Sequence, residues 1–322
     1  MAGLTLLSGL VLIGVLGLIL GVLFRGGAAA FSKFGIGFLF NADWDPPHQS
    51  FGAFVFVFGT LMTSAIAVVV AVPVAVGLAL LLNESTSAKF SGPLATFLDV
   101  LAAIPSVVYG LVGLFVIAPW LVQNVEPVLH ALFGWIPLIG RLFPAVPRNA
   151  AGQVASAGGD FFVAGVVLAI MILPIITAIS REVVATVPRD LREGAKALGA
   201  TRYETIRMAV LPYSTQGIIG ATFLGLGRAL GETIAVGMLI GGGSNVGANL
   251  FVPGQSIAAA IAAQFNSATD PLQRSSLMAL GAILVAISFL LALGSRYLVR
   301  RNGRRMEPSE AEVVETAGLG MS

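Results

Sequence analysis

The chain has 322 residues, of which 57% are hydrophobic and only 11% charged, with a formal net charge of +2 and no cysteine. Soluble domains carry about a quarter charged residues, so this chain cannot present an ordinary wet surface, and its mean hydropathy of +0.93 assigns it to a membrane. Disulfides and thiolate metal sites are excluded, His48 and His130 are too far apart in the chain for a zinc cluster, and the few basic residues sit beside apolar segments, which is a pattern of membrane topology rather than of nucleic-acid binding.

Residues 1–24 are apolar and uncharged. A secretory signal wants a basic start and a small-residue cleavage site. Neither stands out, so the stretch reads as a first membrane helix, with an outer loop reaching to residue 50. Residues 51–83, 100–125, 161–180 and 275–295 each supply the run of about 20 apolar residues that a span needs. A further span over about 216–240 is interrupted by Arg228 and Glu232. Residues 128–147 are broken by Pro137, Gly140, Arg141, Pro144 and Pro147 and read as an interfacial loop. Residues 241–268 hold a Gly-Gly-Gly-Ser turn, Pro253 and a helical run over 256–266 that is too short to span, so it lies on the outer face or dips partly in.

The result is an all-α polytopic protein with six spans and both termini on one side. Twelve Lys and Arg residues fall in the segments 84–99, 181–215 and the tail from Arg296, against five in the opposite loops, so the termini are expected in the cytoplasm. The core of spans two to six covers 51–300, and 301–322 reads as an acidic, polar, disordered tail.

Residues 181–215 form the longest charged stretch, and their pattern is helical. Pro188 suits a first helical turn, and Asp190 and Glu193 favour its positive end. Gly199 supplies a stop, and Thr201 with Glu204 has capping-box spacing, so a second helix starts at once. Pro212 marks a further rearrangement. Two short helices joined by a glycine turn therefore project into the cytoplasm, and the small residues Gly194, Ala195, Ala197 and Ala200 let another protein approach closely. Glu193-Gly194-Ala195, then Gly199, then Leu211-Pro212 resembles the EAA signature of type I ABC importer permeases. That resemblance implies that Glu193, Gly194, Ala195, Gly199, Leu211 and Pro212 belong to coupling helices between spans four and five, docking on an ATPase subunit. Gly194 and Ala209 depart from the usual pattern; glycine in a helix costs about 1 kcal/mol relative to alanine. No lysine is preceded by a phosphate-binding loop. The chain is read as a transport subunit rather than an enzyme, without cofactor or metal, with ATP hydrolysis in a separate subunit.

In the fifth span, Arg228 and Glu232 stand four residues apart, so in a continuous helix they share a face and can pair. A charge at bilayer depth costs about 2.5–3.5 kcal/mol on insertion scales. Such a charge is tolerated where it faces a pore or a partner. One reading is that Arg228 helps an oxyanion cross, its fork of donors matching a phosphate edge, with Glu232 holding it and cancelling its charge in the empty pore. The other is a buried ion pair that fixes packing, and both can hold. The glycines Gly225, Gly227, Gly231 and Gly237 thin this helix for close contact. In span three, Ile104-Pro105-Ser106 reads as a kink, with Ser106 helping to satisfy the freed carbonyls. Ser106 and Tyr109 either offer hydroxyls to a passing anion or belong to a plain kinked helix. Asp99 reads as a surface anchor.

The run from Gly225 to Val236, the Ile104–Leu111 motif and, more weakly, Phe58-Gly59-Thr60-Leu61 with Pro73 resemble the C-type (PstC) permeases of phosphate importers over about residues 50–300. The stretch before span one is shorter than is usual in that family. The resemblance implies a bacterial plasma-membrane subunit passing inorganic phosphate by alternating access, with Arg228, Glu232, Ser106 and Tyr109 on the pathway. It implies a second permease subunit (PstA type), a dimer of ATPase subunits (PstB type), an extracytoplasmic phosphate-binding protein (PstS type) and membrane lipid as partners, and no nucleic acid. The same architecture serving another oxyanion or small solute, or an ion-coupled secondary transporter, are the alternatives. The second leaves the structured cytoplasmic loop without a purpose.

Overall fold

The structure is a computed structural model that describes residues 2–85, 88–145 and 159–303. The expectations for Pro147, Arg148 and the tail beyond residue 303 lie outside these residues. The chain begins with a long helix α1 (Ala2–Phe34), a short α2 (Gly37–Phe40) and a hairpin of β1 (Trp44–Asp45) against β2 (Ser50–Phe51). Then come α3 (Phe54–Leu80), α4 (Ala88–Ala103), α5 (Ser106–Val112), α6 (Ala118–Trp120) and α7 (Glu126–Phe133), the last three joined by π-helical turns. The chain continues as α8 (Phe161–Ala185), α9 (Arg189–Ala197), α10 (Arg202–Thr205), α11 (Leu211–Leu230), α12 (Ile234–Leu239), α13 (Ile257–Gln264) and α14 (Pro271–Gly303). Apart from that hairpin, the regular structure of the described residues is helical.

Among the described residues, five helices are long and apolar enough to cross a membrane: Thr5–Phe34, Phe54–Glu84, Ser106–Phe133, Phe161–Ala185 and Pro271–Val299. The chain is thus a multi-pass membrane protein. In the region of the remaining predicted span, α11 carries Gln216, Thr222 and Arg228 and is not one of the five.

Several boundaries differ from the sequence reading: span three runs on to Phe133, so residues 128–133, expected in an interfacial loop, continue its helical path. The first helix does not stop at residue 24 but continues through Arg25 to Phe34. Gly26 and Gly27 lie so close to Met278 and Ala279 of α14 that an added Cβ would meet the Met278 sulfur at 1.9 Å and the Ala279 backbone at 3.0 Å. Small-residue packing extends the helix where charge alone suggested an end. Nor is span three one kinked helix. Pro105 is extended, with ψ of 141°, so α4 ends and a new helix starts at Ser106. Proline disfavours helical backbone in the residue before it, which turns the expected kink into a break.

Two compact units interleave along the chain: Met1–Ala71 with Ala103–Ile172 and Arg228–Ser288, and Val72–Ala102 with Leu173–Gly227 and Phe289–Ser322. In the first, Phe38, Phe51, Phe56, Ile257, Leu277 and Leu280 form a buried core. Trp44 joins it edge-on to Phe56 and Phe51, at ring distances of 4.8 and 5.0 Å, while its indole N–H donates to Gln264 at 2.9 Å. Thr60 donates to the Phe56 carbonyl and accepts from the Ile257 N–H at 2.9 Å, satisfying one of the free donors at the start of α13. In the second unit, Val184, Val187 and Val210 form a smaller buried cluster with Leu80 packed against it.

Candidate functional site

The α11 helix ends at Leu230, and Gly231, Glu232 and Thr233 interrupt it before α12 begins at Ile234. This break corrects the expected pairing of Arg228 with Glu232. Among the described residues, Arg228 and Glu232 form no ion pair with one another. Glu232 instead turns towards α12, where it accepts from the Ala235 N–H at 3.3 Å. Each charge has a favourable helix end: a cation near the C-terminus of α11 and a carboxylate at the N-terminus of α12.

Arg228 is exposed in the single chain. Its guanidinium lies close enough to Tyr109 of α5 for electrostatic interaction. Tyr109 is thus within electrostatic reach of Arg228, and Ser106, half-buried, stands one turn before Tyr109 on the same helix. The close approach of α5 to α12 depends on Gly110 and Gly113. A Cβ at Gly110 would lie 2.9 Å from the Met238 sulfur and 3.1 Å from the Ala235 Cα, and one at Gly113 would lie 2.9 Å from Leu239. The glycine of the Tyr109-Gly110 pair is thus a packing residue that holds the tyrosine beside the start of α12. Of the glycines expected to thin span five, Gly237 meets Ala259 of α13, while Gly227 faces open space within the single chain. A cavity of about 330 Å³ beyond Thr233 is lined by Gly237, Met238, Gln255, Ala259, Ala263 and Gln264. No charged side chain lines it, and Arg228, Glu232, Ser106 and Tyr109 lie outside its lining.

The charged loop over 181–215 folds as two helices. Pro188, expected in the first turn, is extended and precedes α9 (ψ 141°). Gly199 has φ of +85°, a left-handed turn that favours glycine, and it reverses the chain. The Thr201–Glu204 capping box forms: Glu204 accepts from the Thr201 N–H at 2.7 Å, and Thr201 accepts from the Glu204 N–H at 3.3 Å. These bonds hold the Glu204 carboxyl below its ordinary value. Residues Ile206–Val210 widen into a π-helix just ahead of Pro212, where the proline has no N–H to donate. Leu211 is half-buried, while Glu193 and Gly194 are exposed and Ala195 is half-buried. Leu198 is 91% exposed and Tyr203 69%. Ala195, Leu198, Gly199, Ala200, Glu204 and Met208 line a notch of about 460 Å³ between the two helices. Uncovered leucine, tyrosine and methionine around a notch on a structured loop are the marks of a docking face.

Two groupings escaped the sequence reading. Glu126 at the start of α7 and Asp160 just before α8 are each 1% exposed and close enough to interact electrostatically. Burial pushes the Asp160 carboxyl up to about 6, although Val163 donates to it at 2.8 Å. Glu84 and Arg192, far apart in sequence, pair at 2.9 Å. Neither grouping has a spacing signature; each depends on which helix ends meet.

Residues 71–306 match the family described as binding-protein-dependent transport system inner membrane component. The phosphate transport system permease protein PstC of Mesorhizobium japonicum is 43% identical over 279 residues, covering 87% of this chain and 83% of its own. The protein of the same name from Haemophilus influenzae is 39% identical, covering 92% of this chain and 91% of its own. Among solved structures, a bacterial ABC transporter involved in the import of the acidic polysaccharide alginate overlays with a TM-score of 0.56 at 17% identity, covering 92% of this chain and 95% of that one. An inward-facing MetNI methionine ABC transporter gives 0.50 at 16% identity, covering 80% and 99%. At such identities the likeness to these structures is one of fold.

Proposed function

We infer the function of this chain from its membership: it belongs to the binding-protein-dependent transport system inner membrane component family. It is a permease subunit of an ATP-driven importer, itself non-catalytic, and its substrate is inorganic phosphate. The family match and PstC relatives that share about two-fifths of their residues over most of both chains support this reading.

The single observation that carries the site is the position of Arg228. It sits at the end of a helix that breaks within the apolar part of the chain, within electrostatic reach of a tyrosine and without an ion pair among the described residues. Half-helix ends at a break are where transporters place groups that meet a charged solute. Arg228 is the group that meets phosphate; Tyr109 and Ser106 offer hydroxyls from the neighbouring helix, and Glu232 fixes the start of α12. The pathway is completed by a second permease subunit. A dimer of ATPase subunits docks on the α9–α10 face through Glu193, Gly194, Ala195 and Gly199, ahead of Leu211 and Pro212, and a phosphate-binding protein delivers substrate from outside. With α11 as the sixth span, both termini lie in the cytoplasm, as the excess of basic residues in the corresponding segments favours.

In the complex assembled with its partners, Arg228→Gln is expected to lower phosphate uptake by about 10- to 100-fold, the weight of one hydrogen bond to a charged group, while the complex still purifies intact. Unchanged uptake refutes the role of Arg228. Uptake of sulfate or molybdate in place of phosphate shifts the substrate to another oxyanion, and transport by the isolated chain in vesicles refutes the ATP-driven reading.

A further inference from the structure

The signature glutamate of the cytoplasmic loop, Glu193, is exposed, but its neighbour Arg192 turns inward, with its side chain only 19% exposed. Arg192 reaches two helix ends at once. One terminal nitrogen, Nη2, lies 2.9 Å from Glu84 Oε1 and donates to the Val184 carbonyl at 2.9 Å; the other, Nη1, donates to the Val187 carbonyl at 3.0 Å. Glu84 lies in the π-helical turn Leu81–Ser85 that follows α3, with its side chain 15% exposed. Val184 belongs to the last turn of α8, where carbonyls lack helical partners and a cation is favoured. The same two ends are tied again by Asn83, which donates to the Ala79 carbonyl at 3.1 Å and to the Arg181 carbonyl at 2.9 Å.

A guanidinium suits this place because its donors point in fixed, separate directions. A lysine has one nitrogen and cannot span two carbonyls and a carboxylate with the same geometry. The contact with Glu84 is electrostatic rather than an aligned hydrogen bond, since Glu84 Oε1 and Arg192 Nε are buried without a hydrogen-bond partner among the described residues. Arg192 therefore closes α8 with its two donors and holds the end of α3 by charge.

We propose that Arg192 and Glu84 are positioning residues that make α9 move as one body with the adjoining ends of α3 and α8, so that a push on the docking face is delivered to two membrane helices together. Glu193 is left outward for the partner, while Arg192 transmits from behind it. The proposal rests on the ATP-driven importer reading, with a wild-type complex in vesicles as the control: if that complex moves no phosphate with ATP, the importer reading fails and not the clamp.

The test compares phosphate moved with ATP hydrolysed. Glu84→Gln and Arg192→Lys are each expected to leave copurification of the ATPase and its hydrolysis in place while phosphate moved per ATP falls about tenfold, within the coupling range of side chains in one charged network. A merely structural role would lower both activities in step and leave the ratio alone, which overturns the proposal. The chain has no native cysteine. Glu84→Cys with Arg192→Cys can therefore be bridged specifically by a short bismaleimide. Bridging is expected to raise the ratio back towards the wild-type value, because the joined parts move together. Loss of transport on bridging overturns the proposal, as does failure of all three variants to assemble.

Discussion

Replacing Asp160 by asparagine is expected to stabilise the protein at neutral pH and to weaken a pH dependence present in the wild type. Asp160 and Glu126 are both fully enclosed, and burial penalises the charged form of a carboxyl. Burial raises the Asp160 carboxyl from its ordinary value of 3.8 to about 6. Between those values the unfolded chain has lost a proton that the folded chain keeps. This contribution to stability is therefore whole below about pH 4, declines as the pH rises through about 6, and is absent above. Roughly two pH units at about 1.4 kcal/mol each place the loss near 3 kcal/mol. Asparagine keeps an oxygen for the Val163 N–H, being among the best residues for such a cap, and adds an N–H for Glu126. Allowing about 1 kcal/mol for a weaker, uncharged cap leaves a gain of about 2 kcal/mol at pH 7.5. Thermal unfolding in detergent from pH 4 to 8 measures it, at about 2–4 °C for each kcal/mol in a chain of this size class. The Glu204 cap has a lowered carboxyl and works in the opposite direction, losing stability as the pH falls, but it is common to both proteins and cancels in their difference. A variant melting below the wild type at pH 7.5, or a difference between the two that does not shrink from pH 7.5 to pH 4, refutes the reasoning.

Two further substitutions test packing and helix propensity. At Gly59, an added Cβ would stand 1.9 Å from the Gln255 carbonyl oxygen, so Gly59→Ala is expected to destabilise by about 1–3 kcal/mol through overpacking, seen as a lower unfolding temperature. At Gly194, nothing lies within 4 Å of an added Cβ, so Gly194→Ala is expected to stabilise α9 by up to about 1 kcal/mol, seen as a higher unfolding temperature of the isolated chain; an unchanged or lower one refutes it.

What was legible in the sequence follows from the range of the interactions concerned. The capping box of Thr201 and Glu204 and the turn at Gly199 are contacts of three or four residues, and each forms where the spacing places it. The apolar runs mark the spans for the same reason. The end of α1 was misplaced because Gly26 and Gly27 are held by Met278 and Ala279, some 250 positions away, and nothing near Arg25 announces it. The Phe58-Gly59-Thr60 match carried no reason in the sequence. In the fold, Gly59 gives way to Gln255 and Thr60 receives the first N–H of α13. Glu84, Arg192, Glu126 and Asp160 are long-range partners of the same kind, invisible until the helix ends meet.

The break after Leu230 bears most on mechanism. Had α11 run on through Glu232, residues four apart would have paired, and an anion approaching Arg228 would first have had to displace a carboxylate. Gly231 has no Cβ to favour helix, and the Glu232 oxygen accepts the Ala235 N–H instead, so the carboxylate is committed to the start of the next helix. The cation keeps only the weaker compensation of a helix C-terminus. On our reading this is what a conduit requires: Arg228 attracts an oxyanion without competition from its own neighbour, yet the dipole and the exposed setting keep the attraction modest enough for release. It follows that Glu232 acts through backbone geometry more than through charge. Glutamine at 232, which still offers an oxygen to Ala235, should then preserve far more uptake than alanine, and equal losses in the two variants would return Glu232 to the role of a counterion.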